Sequence, residues 1–230
     1  MKITAIFLAF FISFGFLMLP SCDRVSNPYP PVVNLELDTT LYPGNWADYV
    51  ANEWPTFSQN TNTDRNILIE DFTGHKCIFC PAAADLAHQL HEANPNRVFV
   101  ASIHSGVDGI GDFQSVDTNY TLDFTNPDGL AIGTWFGTHD GGFVGNPRGP
   151  ISRVNNGGVI FQSPGQWSSM TSNLLTENNL KVNLQSALNY YPSTKGAFLH
   201  VEAEKLDASL TNDLGIVVYV LEDSLVGDQK

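Results

Sequence analysis

Cysteine is scarce in this chain: three in 230 residues. A scaffold built from disulfides is thereby excluded, since such folds need several pairs to replace a missing core. Basic residues are also few, 11 Lys and Arg against 24 Asp and Glu, for a formal net charge of −13. Nucleic acid is a poor partner for such a chain, because its phosphates demand clustered cations. Charged residues of both signs make up only 15%, well below the typical quarter. Yet 43% hydrophobic and 11% aromatic residues supply the apolar surface that a disordered chain lacks. No internal repeat or low-complexity block is present. What remains is a folded, acidic, soluble body, long enough for one ordinary domain or one plus a small second.

Long hydrophobic runs are limited to one, residues 3–19, broken only by Thr4, Ser13 and Gly15 and preceded by Lys2. It leads into Leu19-Pro20-Ser21-Cys22. A basic start, an apolar stretch and a small residue before a cut read as a secretory signal. The final four residues resemble a bacterial lipobox, with Leu three before the cut, Ser one before it, and Cys22 receiving the lipid. An uncleaved anchor is the alternative, at the lower length limit for a bilayer span. The expectation is a lipoprotein signal peptide at 1–21 and lipidation at Cys22, with the rest of the chain outside the cytoplasm. Acyl chains would hold it to a membrane face. Cys77 and Cys80 are then left as a pair.

Residues 22–65 read as a lipid-anchored tether and lead-in. Asn27-Pro28-Tyr29-Pro30-Pro31 favours stiff, extended chain. Trp46, Tyr49, Trp54 and Phe57 are too many aromatics for a plain linker and are expected to pack onto the domain that follows.

That domain is placed at 66–177. Ile67-Leu68-Ile69-Glu70-Asp71-Phe72 suits a buried strand. Thr73-Gly74-His75-Lys76 turns the chain, Cys77-Ile78-Phe79-Cys80 follows, and Pro81 falls in the first turn of a helix running to about Asn94. Proline is tolerated there because its missing N–H has no helical partner to lose. Ala83, Leu86, Ala87 and Leu90 form one apolar stripe. Residues 97–104 are a second strand, so the order strand, helix, strand predicts a parallel crossover. A Cys-x-x-Cys at a helix mouth is what thiol–disulfide exchange requires. Unpaired N–H groups and the helix dipole stabilise a thiolate on the first Cys, and the second lies close enough to resolve a mixed disulfide. Cys77 is the expected attacking thiol and Cys80 the resolving one, with His75 and Lys76 as groups that tune the site.

On these residues the chain resembles the thioredoxin superfamily. Asp71-Phe72 stands where those proteins carry Asp-Phe ahead of the Cys pair, and the resemblance implies that Asp71 is the buried proton acceptor for the resolving Cys. Gly149-Pro150 before Ile151-Ser152-Arg153-Val154 looks like the loop and strand that hold the family's cis-proline, with Pro150 the first candidate and Pro147 the second. Asn155-Asn156-Gly157-Gly158 is a hairpin signal, and a helix over about 166–177 would close the domain. Lys76 replaces the family's usual Trp, and Ile78-Phe79 replaces its Gly-Pro. A nearer resemblance is to the outer membrane protein 28-related lipoprotein family. It rests on Glu70-Asp71-Phe72-Thr73-Gly74-His75-Lys76-Cys77 through Cys80-Pro81, on His104-Ser105-Gly106, and on Gly145-Asn146-Pro147-Arg148-Gly149. Members look like lipid-anchored proteins with a thioredoxin-like domain and a β-rich extension, which implies the cell envelope of a Gram-negative bacterium and points to the outer membrane.

Other uses of these residues stay open. A zinc site would need His75 and His104 to complete a single Cys-x-x-Cys that lacks its second ligand pair, so no metal and no cofactor are expected. His104 serves equally as a structural histidine or a proton relay. Asp71 can also be a strand-end carboxylate capping a turn. His88 and His91, among Asp85, Gln89 and Glu92, read as a solvated helix face. Between 106 and 145 the chain is rich in Gly, Asp and Asn. Asn126-Pro127 opens a helix to about Phe136, and the spacing of Asp108, Asp112, Asp117 and Asp123 fits no EF-hand loop. Trp135, Phe136 and Phe143 are either partner contacts or local core.

Residues 178–230 change to strand patterning at Leu180-Val182-Leu184, Ala197-Leu199-Val201 and Ile216-Val218-Val220. Three strands make a poor independent sandwich, so this reads as a small, incomplete antiparallel β region, truncated at Lys230 and carrying an exposed sheet edge. The fold class is α/β, a thioredoxin-like domain followed by that region. The expected activity is thiol–disulfide exchange with exported proteins. The alternative is a surface or periplasmic binding lipoprotein in which the Cys pair is a structural disulfide.

Overall fold

The computed structural model describes residues 36–211, 214–223 and 225–230. The expected signal peptide, the expected lipidation site Cys22 and the expected proline-rich tether lie outside the described residues. No helix among the described residues is long and apolar enough to cross a membrane. The chain divides into two compact units.

The first unit takes residues up to Trp54 together with Tyr190–Ala197. Among its described residues it holds the α-helix α1 (Trp46–Asn52), capped by Asn45, whose side chain accepts from the amide of Ala47. Tyr49 is fully buried inside an aromatic cluster. Trp46 stacks on it at 4.6 Å between ring centroids, and Tyr42 meets it edge-on at 5.2 Å. The hydroxyls of Tyr42 and Tyr191 both donate to the Glu53 carboxylate, which these bonds hold below the usual range. Within this unit Trp46, Tyr49 and Trp54 gather with Tyr42 and with Tyr191, which comes from a distant hairpin. Only the folded chain brings those two stretches together.

The second unit comprises Pro55–Asn189 and Phe198–Lys230. Strand β1 (Ile67–Thr73) pairs in parallel with β2 (Val98–His104), in a register running from Ile67 opposite Val98 to Thr73 opposite His104. The connection is α2 (Cys80–Ala93), which carries Pro81 in its first turn as expected. On the free edge of β1, antiparallel bridges Ile69–Ile151 and Phe72–Arg148 attach the segment containing β3 (Gly149–Pro150). β3 pairs antiparallel with β4 (Phe161–Gln162). The β1–β2 and β3–β4 pairs are thus two small sheets set side by side through these two bridges. Gly149 permits this close approach, since a Cβ there would lie 1.8 Å from the carbonyl oxygen of Glu70. The hairpin signal at 155–158 holds: Asn156 bridges Val159, and Gly157 and Gly158 take φ of 66° and 92°. The strand expected through Val154 is cut short, because Ser152 and Arg153 both turn left-handed at φ 48° and 50°.

Alternation along β1 sends its side chains to two cores. Ile67 and Ile69 face Ala83 and Ala87 of α2 and Trp167, Met170 and Leu174 of α4 (Pro164–Glu177). Phe72 faces the other way, onto Ile103, Phe136, Phe143 and Phe161; Phe136 belongs to α3 (Pro127–His139). Phe136 and Phe143 are thus core, and burying each such ring stabilises the fold by about 1.5–3 kcal/mol. Trp135 stays exposed and stacks on His139. Asp140, at the end of α3, accepts from the amides of Gly142, Ile160 and Phe161, tying β4 to that helix.

Strands β5 (Val182–Tyr191) and β6 (Gly196–Lys205) form a two-stranded sheet. Residues 192–195 link them, a connection far too short for a parallel crossover. Leu184, Leu188 and Leu199 are exposed, while Asn183 and Phe198 are buried and β5 is bonded to residues 58–62. The third expected strand does not form: residues 214–221 carry no strand assignment and Ile216, Val218 and Val220 are exposed. One residue of this segment is tied down, Tyr219, through side-chain bonds to Glu70 and Arg153.

Candidate functional site

The turn after β1 is built by two backbone bonds, Cys77 N–H to the carbonyl of Gly74 and Cys80 N–H to the carbonyl of Cys77. They bring the cysteine Cα atoms to 5.4 Å, and the two residues form a disulfide at the mouth of α2. Cys80 is the first residue of the helix, so both sulfurs lie near its unpaired N–H groups. Each cysteine is only 1% exposed, whereas Ile78 and Phe79 between them are 58% and 69% exposed. The inner dipeptide, not the disulfide, is what solvent meets.

Asp71 lies on the β1 face that carries Ile67 and Ile69, the face covered by α2. It is fully buried, and among the described residues neither carboxylate oxygen has a hydrogen-bond partner. Burial pushes its acid up to about 7, because a charge in a dry, unpaired setting is disfavoured. That is the behaviour of a group able to take or release a proton near neutrality; it does not cap a turn.

His75 is buried, its Nε2 bonded to the carbonyl of Ser115 and its Nδ1 without a partner. Its ring lies near-parallel to that of His104, with centroids 6.4 Å apart, and Tyr120 and Phe124 close around it. Burial, then the neighbouring His75, depress His104 to about 4, so it stays neutral under ordinary conditions. Lys76 is turned to the 112–117 loop: Nζ donates to Ser115 Oγ at 2.7 Å and pairs with Asp117 at 3.2 Å.

The cis peptide bond is at Asn146–Pro147, which corrects the first candidate, Pro150. Pro150 is a β3 residue paired with Phe161, a position that demands extended trans backbone. Two residues missed in the sequence hold this loop to the turn. Buried Gln114 donates to the carbonyl of Thr73 and to Asn146 Oδ1, and Asn146 donates to the carbonyl of Ser105. An isolated Gln in a polar stretch carries no local signal for that role. Glu70 and Arg153 were also missed as a pair. The fully buried Glu70 carboxylate accepts from Nε and Nη2 of Arg153, at 2.9 and 2.7 Å, and from the hydroxyl of Tyr219 at 2.7 Å. The Arg153 guanidinium also lies 5.1 Å over the Phe136 ring.

Among the described residues no group of three or more His, Cys, Asp or Glu side chains is arranged to hold a metal ion. His88 pairs with Glu92 on an exposed helix face, and His91 bonds the carbonyl of Val98. A groove of about 740 Å³, lined by Asn62, Glu177, Asn178 and Leu206 among others, contains none of the expected site residues. No family model, curated protein or solved structure matches this chain. The family resemblances drawn above therefore rest on the motifs alone.

Proposed function

We propose that this chain is a lipid-anchored protein outside the cytoplasm, with a thioredoxin-like domain at 66–177 whose Cys77–Cys80 pair exchanges disulfides with exported proteins. One observation carries the reading: a helix-mouth disulfide follows a strand that holds a buried, unpartnered Asp71 with its acid raised to about 7. The parallel β1–β2 pair with its helical crossover, and the helices α2 and α4 sharing one sheet face, support it. The anchor and an outer-membrane location rest on residues 1–22 and on the motif resemblance to the outer membrane protein 28-related lipoproteins.

In the reducing direction, the Cys77 thiolate attacks one sulfur of a partner's disulfide. A Cys77–partner disulfide forms, and the partner's other sulfur leaves as a thiolate. Cys80 then gives its proton to Asp71 and attacks Cys77 Sγ, releasing the second partner thiolate. The Cys pair is oxidised by two electrons and the partner is reduced by two. The oxidising direction is the reverse, and neither requires a cofactor.

A second reading, a binding lipoprotein stapled by an inert disulfide, is favoured by the 1% exposure of both cysteines, since reactive thiols are usually accessible. The equilibrium reduction potential of the pair in the full chain decides between them. A value between about −120 and −270 mV supports exchange, and one below about −300 mV sinks it in favour of the staple. Cys80→Ser should further trap Cys77 as a mixed disulfide with an exported protein.

A further inference from the structure

Residues 225–230 run across the turn that holds the disulfide. The backbone N–H of Lys230 donates to the carbonyl of His75 at 2.9 Å. The side-chain amide of Gln229 reaches the carbonyls of Cys77 at 3.3 Å and Gly74 at 3.4 Å. Gly227 lies flat on the aromatic wall of the site, where a Cβ would fall 2.3 Å from Phe124 Cζ and 3.1 Å from Leu122 Cδ1. The wall is the same Phe124 that packs on His75 and His104.

Two features of this contact go together. The turn contributes main-chain carbonyls, which any extended polypeptide can engage whatever its side chains. The segment itself is weakly held: Leu225 and Val226 are exposed, and hydrogen bonds that compete with water contribute little net stability. A weakly held segment bonded to the carbonyls of the turn that carries two buried cysteines is suited to exchange with another chain of the same geometry.

We propose that the carbonyls of Gly74, His75 and Cys77, flanked by Leu122 and Phe124, form a seat for an extended polypeptide. Residues 227–230 occupy it as a strap, and a protein partner reaches the Cys77–Cys80 disulfide by displacing them. The partner is an unfolded or locally extended chain that presents a main-chain N–H to the His75 carbonyl and a small residue to Phe124. The proposal rests on the redox reading of the same cysteines.

The test uses the full chain and follows the rate at which dithiothreitol reduces the disulfide, together with hydrogen exchange at the Lys230 amide. Gly227→Leu forces the strap off Phe124, and Gln229→Ala removes both side-chain bonds. Reduction should quicken about tenfold in the double variant, the factor carried by roughly one net hydrogen bond, with Lys230 exchange quickened and the equilibrium potential unchanged. A hexapeptide with the sequence of residues 225–230, added to that variant, should slow reduction again, and a scrambled peptide should not. The strap is overturned by an unchanged reduction rate in the double variant, or by fast Lys230 exchange in the unaltered chain. The polypeptide seat is overturned if the added peptide restores no protection. A strap-dependent rate with a potential outside the exchange range would instead sink the redox reading and leave the strap standing.

Discussion

Glu70 and Asp71 are consecutive residues of one strand, both fully buried, and their side chains enter opposite faces of the same sheet. On the α3 side, Glu70 is answered completely, by a bidentate Arg153 and the hydroxyl of Tyr219. On the α2 side, Asp71 is answered by nothing. A buried carboxylate with a matched partner behaves as a joint of the fold, and removing the partner leaves an uncompensated charge. A buried carboxylate without one shifts its pKa and becomes chemistry. Neighbours of the same charge and burial are thus assigned different work by what faces them.

The sharpest way to break this contrast is to neutralise each carboxyl. Raised by burial to about 7 from an ordinary 3.8, Asp71 is protonated in the folded chain and ionised in the unfolded one across that window. Folding stability is then lost as pH rises from about 4 to 7 and stays lost above. Asp71→Asn should therefore be more stable at pH 8, by up to about 4 kcal/mol, in urea melts. Equal or lower stability would show that the carboxyl has partners after all. Glu70→Gln should act in the opposite sense, costing about 3 kcal/mol, the low end for a broken buried pair, because Arg153 keeps some access to water.

His104 extends the contrast to an unpartnered imidazole. Depressed from 6.5 to about 4, it is neutral when folded while the unfolded chain binds a proton, so its contribution is lost as pH falls from about 6.5 to 4. The loss is about 2–3 kcal/mol after allowance for its partial exposure. It opposes the Asp71 slope over the same range. The unaltered chain should show a shallow pH dependence between 4 and 7, and His104→Gln should steepen the fall toward neutrality. An unchanged profile in that variant would remove His104 from the site's proton balance. The smallest effect falls on the hydroxyl beside the paired carboxylate: Tyr219→Phe should cost about 1.5 kcal/mol, the low end for one hydrogen bond to a charged group. It should also quicken hydrogen exchange in residues 214–221, which Tyr219 ties to the sheet.

Much of the scaffold was legible because its signals are local. A continuous apolar run, a proline one residue into a helix, and Asn-Gly turns each report on a few neighbouring residues, and β1, α2, β2 and the 155–158 turn follow from them. The Cys-x-x-Cys and its helix mouth were legible for the same reason. The cis-proline was displaced from Pro150 to Pro147, since nothing in Gly-Pro or Asn-Pro says which proline a sheet edge will claim. The third C-terminal strand was read from alternation alone, but alternation without a partner strand leaves backbone groups unpaired.

By itself, then, the amino-acid sequence determined the periods of the elements, the turn chemistry and the adjacency of the two cysteines, all set within a few residues by sterics and hydrogen bonding. Only the tertiary structure decided which buried carboxylate would be paired. Arg153, in a left-handed stretch 83 positions on, reaches Glu70, while among the described residues no hydrogen-bond partner reaches the Asp71 carboxylate. Pairing at that range depends on which surfaces meet when the layers close, and that is a property of the packed chain.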